Sequence, residues 1–345
     1  MAWPIPFPLE PMLAKAVGDV PEKPGLLYEP KWDGFRSIAY IGDGEVELAS
    51  RGAKTLTRYF PELVAELSSQ LRNVVLDGEI VVRRGSAGGE RLDWEALSQR
   101  IHPAASRIQK LSAETPASFV AFDLLAVDGE SLLDRPFADR RALLEQRLGG
   151  IHAPLHLTRT TSAADDARRW LEEFEGAGLD GVVAKPVDAR YEPGKRTMLK
   201  IKHVRTADAV VHGYRVHKSG SGVGSLLLGL YRDGHLQGVG GASAFTDRRR
   251  QELIEELDPY VVRDENGEPV RGAGERNRFS SEKDGSFIRL EPKLVVEVKY
   301  DQMEGDRFRH AVQFLRWRPD RDPESCTYEQ LEVPAKYDLS DVLSS

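Results

Sequence analysis

The chain runs Glu29-Pro30-Lys31-Trp32-Asp33-Gly34-Phe35-Arg36 where one strand-like segment ends and the next begins. A lysine amine is a nucleophile only in its neutral form, which a neighbouring cation or a dry pocket favours. Such an amine could form a Schiff base with a carbonyl substrate or a phosphoramidate with the α-phosphorus of a nucleotide. By itself, this combination of a lysine, an acid and a glycine at a strand end is more typical of a solvated turn. Whether Lys31 is a nucleophile therefore depends on the residues in the rest of the chain.

Strands and helices alternate irregularly around this stretch, up to residue 203. Alternation or dense β-branching, bounded by Gly and Asp, predicts strands over 25–29, 35–41, 46–50, 74–83, 119–125, 181–185 and 198–202. Helical spacing of apolar residues predicts helices over 58–71, 138–148 and 162–175, the last with a capping box from Ser162 to Asp165. Because regular βαβ alternation is missing, a Rossmann sheet is disfavoured. Two packed, mostly antiparallel sheets with flanking helices fit better.

Beyond His203 the pattern changes to strands separated by Gly and Asp turns. Strands are predicted over 209–216, 225–231, 236–241, 294–300 and 311–317, with one helix over 247–257. About five strands of this length are typical of a small β-barrel of OB-fold size. We therefore predict an α+β chain with one domain over 1–203 and an OB-fold domain over 204–345, the latter ending in a loosely held polar tail after 334.

Composition excludes several classes of protein. With 345 residues, of which 40% are hydrophobic and 30% charged, the chain is neither collagen-like nor wholly disordered. The single cysteine, Cys326, excludes an intramolecular disulfide and a cysteine-based zinc site. The proline-rich start does not read as a signal peptide, and no run approaches the ~18 apolar residues of a membrane span. We expect a cytoplasmic protein with no membrane partner.

The net charge of −7 at first argues against a nucleic-acid partner. The charge is unevenly distributed, however. Residues 185–218 carry nine Lys and Arg against three Asp and Glu, whereas the chain from 320 onward carries seven acids and two bases. The acidic total therefore does not exclude DNA. It predicts a modest, salt-sensitive affinity, because few phosphates would be neutralised.

Six further segments combine acids, bases and aromatic residues at the ends of predicted strands or within them. They are Ser50-Arg51-Gly52, Asp77-Gly78-Glu79, Phe119-Val120-Ala121-Phe122-Asp123, Asp180-Gly181-Val182-Val183-Ala184-Lys185, Leu199-Lys200-Ile201-Lys202 and Arg316-Trp317-Arg318-Pro319-Asp320. With the Lys31 stretch, this ordered set resembles the covalent nucleotidyltransferases, which include DNA ligases, RNA ligases and mRNA capping enzymes. It is most similar to the bacterial ATP-dependent DNA ligases of the C type and to the ligase module of D-type end-joining enzymes. The resemblance covers about residues 10–335.

The resemblance implies a role for the nucleophile and for the residues that would hold the nucleoside. Lys31 would attack the α-phosphate of ATP, release pyrophosphate and carry AMP. Glu29 would accept a hydrogen bond from the adenine amino group, and Phe122 would stack on the ring. Arg51 and Glu79 would hold the ribose, with Arg51 also near the phosphate at the nick.

The remaining roles concern phosphates and metal. Arg36 would contact the nucleotide or a DNA phosphate. The α-phosphate would be bound by Lys185, Lys200 and Lys202, and the pyrophosphate would be oriented by Arg316, Arg318 and Asp320. Magnesium or manganese would be ordered by Asp33 and Asp180, although the family usually has Glu where this chain has Asp180. Elementary chemistry agrees, because cations placed in advance near the transferring phosphoryl group stabilise its developing charge.

The resemblance thus predicts an adenylation domain followed by an OB-fold domain, acting as a monomer in the bacterial cytoplasm or nucleoid. ATP and magnesium or manganese would be its cofactors. Nicked duplex DNA would be its partner, together with possible repair proteins. Two alternatives stay open: an RNA ligase or capping guanylyltransferase of the same superfamily, or a non-catalytic OB-fold protein that binds nucleic acid. The intact Lys31, Asp33, Glu79 and Lys200 argue against the second.

Overall fold

The structure is a computed structural model that describes residues 3–42, 44–86, 88–203, 205–273, 286–331 and 336–343. The β-strands of these residues are β1 Leu13–Val17, β2 Leu26–Pro30, β3 Phe35–Gly42, β4 Glu45–Ser50, β5 Val74–Arg84, β6 Arg91–Leu92, β7 Ala117–Val127, β8 Glu130–Ser131, β9 Leu155–Leu157, β10 Val182–Pro186, β11 Arg196–Ile201, β12 Arg205–Val216, β13 Val223–Arg232, β14 His235–Ala242, β15 Arg271–Ala273, β16 Ser286–Tyr300, β17 Met303–Glu304, β18 Arg307–Phe308 and β19 Gln313–Trp317. The α-helices are α1 Pro61–Gln70, α2 Trp94–Gln99, α3 Ala105–Glu114, α4 Phe137–Leu148, α5 Ala164–Glu173, α6 Asp247–Leu257 and α7 Leu339–Leu343. The chain divides into two compact units, one of residues 1–203 with 334–345, the other of residues 204–333.

The first unit is built on two sheets. The larger has the order β4-β3-β5-β7-β8, with β6 added to β5 and β9 added to β7, and the smaller has the order β1-β11-β10-β2. Successive side chains of a strand point to opposite faces. On β5, Leu76 and Ile80 accordingly join the core shared with the flanking helices, whereas Val75 and Val81 join the cores that include residues of the smaller sheet. The predicted pair of mostly antiparallel sheets with flanking helices is confirmed.

Several elements of this unit differ from the sequence prediction. Strand β1 was not predicted; it pairs in parallel with β11. The first helix begins only at Pro61, because proline suits the first helical turn. The capping box was wrong: Ala163 is the N-cap residue of α5 and makes no side-chain capping bond. Helices α2 and α3 were not predicted.

The second unit is a strongly curved sheet. Its strands have the order β14-β13-β12-β16-β15, and β19 pairs with the other half of β16. At the far edge, Val312, just before β19, donates its N–H to the carbonyl of Gly241 in β14 at 3.0 Å. This bond brings the two edges of the sheet together. This sheet agrees with the small β-barrel predicted for the second half of the chain, and the predicted helix has the bounds of α6.

The prediction for the carboxyl-terminal tail was wrong. We expected a loose tail on the second domain, but residues 336–343 belong to the first unit. Leu339 and Val342 are fully buried in the core that contains Trp170 and Phe174. The Leu339 N–H donates to the Glu90 carbonyl at 2.8 Å. The tail is fixed because its two apolar residues are three positions apart, and one helical turn brings them to the same face.

Replacing Leu339 with alanine should lower the free energy of unfolding of the first unit by about 2–5 kcal/mol, since it leaves a cavity under the tail. The measurement is denaturant unfolding of the full chain. Ile101→Ala is the matched control, because this side chain is 40% exposed and its loss should change little. Equal unfolding midpoints for Leu339→Ala and the original chain would show that the tail is not held.

Candidate active site

Lys31 lies in the short connection between β2 and β3, and the backbone fixes where it points. The Lys31 N–H donates to the Gly181 carbonyl at 2.8 Å, and the Asp180 N–H donates to the Lys31 carbonyl at 2.9 Å. The next turn requires glycine, because a Cβ on Gly34 would lie 2.2 Å from the Ile80 carbonyl oxygen. These contacts bring the connection against the start of β10, although 149 positions separate Lys31 from Asp180.

Lysines converge on the Asp180 carboxylate. Its Oδ2 lies 2.6 Å from Lys31 Nζ and 2.7 Å from Lys202 Nζ. Burial alone would raise the pKa of Asp180, but the two ammonium groups hold it below its usual range. The pKa of Lys200 is lowered by burial and by the charges of Lys202, Lys31 and, to a lesser extent, Arg51. The site therefore concentrates positive charge around the Lys31 amine.

Glu79 contacts the far end of the Lys31 connection. Its Oε1 accepts the Gly34 N–H at 3.1 Å. Burial raises the pKa of Glu79 to about 7 against the opposing charges of Lys31 and Arg36, and Asp33 raises it further. At neutral pH a larger fraction of this side chain is therefore protonated than of an exposed glutamate, and the protonated form can donate a hydrogen bond.

Because the pKa of Glu79 is raised on folding, its burial costs stability once pH passes the usual glutamate value. The unfolding free energy should fall between about pH 4.5 and pH 7 and level off above, by up to about 3 kcal/mol. Glu79→Gln should abolish that fall. Denaturant unfolding at pH 5 and pH 8 measures it, with the exposed Glu114→Gln as control. A fall of the same size in Glu79→Gln would contradict the assignment to this residue.

A second part of the pocket is suited to a base with an exocyclic amine. Glu29 is only 3% exposed; its Oε2 pairs with Lys185 Nζ at 2.7 Å, and its buried Oε1 has no hydrogen-bond partner. The Phe122 ring lies beside this acceptor, since Lys185 Nζ is 4.8 Å from the ring centroid and donates to the Phe122 carbonyl at 3.1 Å. An aromatic face next to an acceptor without a hydrogen bond fits adenine.

Lys185 itself is placed differently from the other lysines. It is buried, and its ammonium is committed to Glu29 and to the Phe122 carbonyl. Lys185 thus lies with Glu29 and Phe122, the two residues suited to a base. Its contact with the α-phosphate stays a prediction. The sequence analysis missed Arg141. One of its terminal nitrogens lies 3.9 Å from Glu29 Oε1.

Arg36 is held by a residue that the sequence analysis did not assign. Its Nε and one terminal nitrogen donate to the two carboxylate oxygens of Asp77 at 2.8 and 2.6 Å. Its guanidinium carbon is 5.0 Å from the centroid of the Phe122 ring. Asp77 lies two positions before Glu79 on β5 and is part of the same quoted segment, so the sequence offered a signal for it.

Arg51 is an exposed residue in the turn after β4.

The predicted pyrophosphate-orienting residues lie in the second unit. There Arg316 pairs with Glu297 at 2.6 Å, and Arg318 pairs with Asp208 at 3.0 Å and with Asp320 at 2.7 Å. A hydrogen bond from Arg318 lowers the pKa of Asp320 to about 2. Each of these side chains has a partner within its own unit.

The metal prediction can be tested against the donor set. No three His, Cys, Asp or Glu side chains in the described part of the chain are arranged to hold a metal ion by themselves. Mg²⁺ is usually bound by one or two carboxylates together with substrate phosphates and water. Asp33, two residues after Lys31, and Asp180, 2.6 Å from the Lys31 amine, are the two carboxylates that could serve in such a site. None of the helices in the described residues is long and apolar enough to cross a membrane.

Comparison with known proteins gives two family matches. Residues 11–202 match the family described as ATP dependent DNA ligase domain, and residues 219–321 match the ATP dependent DNA ligase C terminal region. The two matches cover most of the first unit and much of the second.

Individual relatives agree with these matches. The chain is 53% identical to DNA ligase C1 of Mycolicibacterium smegmatis over 99% of both chains. It is 32% identical to the multifunctional non-homologous end joining DNA repair protein LigD of Mycobacterium tuberculosis, over 88% of this chain and 37% of LigD. A solved Lig E DNA ligase is similar in fold, with a TM-score of 0.57 and 17% identity over 89% of this chain and 99% of that one.

Proposed function

This chain belongs to the ATP-dependent DNA ligases, and from that premise we propose how its own residues make a lysyl-AMP and pass it to nicked duplex DNA. The observation that carries the proposal is the position of the Lys31 amine, 2.6 Å from Asp180 in a cluster of lysines, in the same unit as the pocket of Phe122 and Glu29. No residue of the second unit is needed to build that arrangement.

In the first step the neutral Lys31 amine, having given a proton to solvent, attacks the α-phosphorus of ATP. The Nζ–P bond forms, the bond from the α-phosphorus to the bridging oxygen breaks, and pyrophosphate leaves with the electron pair. The nitrogen then gives a further proton to solvent and remains as the N–H of a phosphoramidate. Negative charge spreads over the non-bridging oxygens in the transition state. Lys202 shares the Asp180 carboxylate with Lys31, and Lys200 is close enough to feel both charges; the two lysines would stabilise the developing charge.

Asp180 acts in this proposal as a clamp on the amines. Its Oδ2 lies 2.6 Å from Lys31 Nζ and 2.7 Å from Lys202 Nζ, so one carboxylate oxygen holds both ammonium groups. The shorter aspartate side chain is thus directly engaged, although the family usually has glutamate there. Asp33 and Asp180 would also hold magnesium or manganese on the ATP phosphates, where the metal would neutralise phosphate charge.

The nucleoside is recognised at the buried end of the pocket. Glu29 Oε1, which accepts no hydrogen bond and lies 3.9 Å from Arg141, would accept from the adenine amino group, and Phe122 would supply the stacking face. Guanine presents a carbonyl in place of that amine, so a buried carboxylate facing it would be left unpaired. The same acceptor therefore favours ATP over GTP and disfavours the capping guanylyltransferase alternative. Glu79 and Arg51 would hold the ribose.

Two transfers complete the reaction. AMP moves from Lys31 to the 5′-phosphate at a nick, and the 3′-hydroxyl then attacks that phosphate and expels AMP, which seals the strand. Arg36, positioned beside Phe122, would contact the phosphates during these transfers. The end-joining repair relative supports a role in DNA repair, in which the enzyme would act as a monomer in the bacterial cytoplasm with other repair proteins.

The test is a pulse and chase. The protein is incubated with ATP labelled in the α-phosphate and a divalent metal, freed of nucleotide, and then given a nicked duplex. Label should appear first on the protein, then on the DNA 5′-phosphate, and finally as free AMP together with a sealed strand. An otherwise identical nick with RNA on its 3′ side distinguishes the RNA-ligase alternative. Protein that binds the duplex and never takes up label would favour the non-catalytic alternative.

A further inference from the structure

Tyr191 is a buried residue outside the predicted motifs. It is 3% exposed and lies between β10 and β11. Its hydroxyl donates to Asp77 Oδ2 at 2.6 Å and accepts the Met12 N–H at 3.1 Å. The pKa of Tyr191 is raised well above its ordinary value, by burial and by Asp77, so the phenol keeps the proton that it donates.

Asp77 connects this phenol to the pocket. Its carboxylate is fully buried and accepts from Tyr191 and from two nitrogens of Arg36. Arg36 Nε and the adjacent terminal nitrogen occupy one carboxylate oxygen each, and the phenol occupies a further lone pair of Oδ2. The plane of the carboxylate is thereby fixed from two sides, and the plane of the carboxylate sets the direction of the guanidinium.

We propose that Tyr191 is a positioning residue for ligation: through Asp77 it holds the Arg36 guanidinium over the edge of the nucleotide pocket, 5.0 Å from the Phe122 ring centroid. Without the phenol, Asp77 keeps its charge and its pair with Arg36 but can rotate within the core. The guanidinium would then sample several directions. Arg36 would have to be ordered in each catalytic cycle, which slows the step in which it contacts phosphate. The proposal rests on the role given to Arg36 under the proposed function.

The experiment is a double-mutant cycle on the full chain. The rates of lysyl-AMP formation and of sealing a pre-adenylated nick are measured separately for the original chain, Tyr191→Phe, Arg36→Ala and the double variant. Tyr191→Phe should slow the same step as Arg36→Ala, by about tenfold, the size expected for one hydrogen bond to a charged group. In the Arg36→Ala background it should have no further effect.

Tyr40→Phe is a matched control. The Tyr40 hydroxyl is also buried in this core, accepts the Leu9 N–H at 3.0 Å and donates to the Pro6 carbonyl at 2.8 Å. Its loss removes an equivalent pair of hydrogen bonds and should leave the balance between the two steps unchanged. If Tyr191→Phe does not fold, Asp77→Asn replaces it in the cycle, with the same step expected to slow.

Two results would overturn the positioning role. One is a loss of equal size in the presence and absence of Arg36, which would mean that Tyr191 only stabilises the fold. The other is a Tyr191→Phe variant with both rates intact. Failure of the proposed function would look different, because the original chain itself would then take up no label from ATP.

Discussion

Replacing Lys31 with alanine should abolish the transfer of label from ATP to the protein. The variant removes the atom that forms the phosphoramidate, so the rate should drop by more than about a thousandfold, the scale on which loss of a covalent nucleophile acts. The measurement is the amount of label that stays with the chain on a denaturing gel after incubation with α-phosphate-labelled ATP. Sealing of ordinary nicks should be lost with it.

Two matched variants show whether the amine itself is responsible. Lys31→Arg keeps a positive charge next to Asp180 but offers a far weaker nucleophile, so it should be as inactive as alanine. Lys110→Ala removes a lysine that is 60% exposed on α3, and it should retain full labelling. Label on Lys31→Ala at the level of Lys110→Ala would refute the assignment of Lys31 as nucleophile.

Replacing Asp320 with alanine should slow lysyl-AMP formation by about a hundredfold or more while sealing of a pre-adenylated nick is much less affected. The reason is that only the first step releases pyrophosphate, which the segment of Arg316, Arg318 and Asp320 is proposed to orient. Asp320 is also one of two partners of Arg318, at 2.7 Å; without it the guanidinium keeps only its pair with Asp208 at 3.0 Å. Single-turnover measurement of the two steps provides the comparison.

The control for this variant comes from the same unit. Asp306 is exposed to a similar degree and pairs with Arg232 at 2.7 Å, an equivalent surface contact outside the segment. Exposed ion pairs of this kind contribute little to stability, so Asp306→Ala should leave both steps unchanged. Equal losses in the two steps for Asp320→Ala would contradict the division of labour between the steps.

Much of the site could be predicted from the sequence because its motifs are short and continuous, whether they lie at strand ends, as Lys31 and Asp180 do, or inside β5 and β7. Lys31, Asp180 and Lys202 were expected to share one pocket, and Asp180 Oδ2 contacts both amines. The strand assignments around them followed from alternation and β-branching. Alternation and β-branching are local properties of the sequence, so these assignments do not depend on how the sheets are arranged.

The rest depended on contacts between distant residues. Tyr191 and Asp77 are 114 positions apart, and no motif marks the tyrosine. The buried ion pair of Lys185 with Glu29 could not be predicted either. A lysine near a strand end is usually exposed, and the sequence does not show which lysine side chain is buried. The tail was misjudged because a five-residue helix with two buried side chains has too short a periodic pattern to be recognised.

The correction of the tail changes how the two units should be separated in experiments. A chain that stops at His203 would lack Leu339 and Val342, whose side chains fill the core near Trp170 and Phe174. Loss of activity in such a fragment would mix two causes, the missing barrel unit and a damaged first unit. Point substitutions in the barrel unit are therefore the cleaner test of its contribution.

The central claim is that Lys31, among all lysines of this pocket, carries AMP. The most direct measurement is to trap the labelled protein after incubation with ATP and metal, digest it and identify the peptide that bears the adenylate. The account predicts a single modified peptide that contains Lys31, with Lys200 and Lys202 unmodified. An adenylate on Lys200 or Lys202, or a protein that seals nicks with no covalent AMP at any stage, would contradict it.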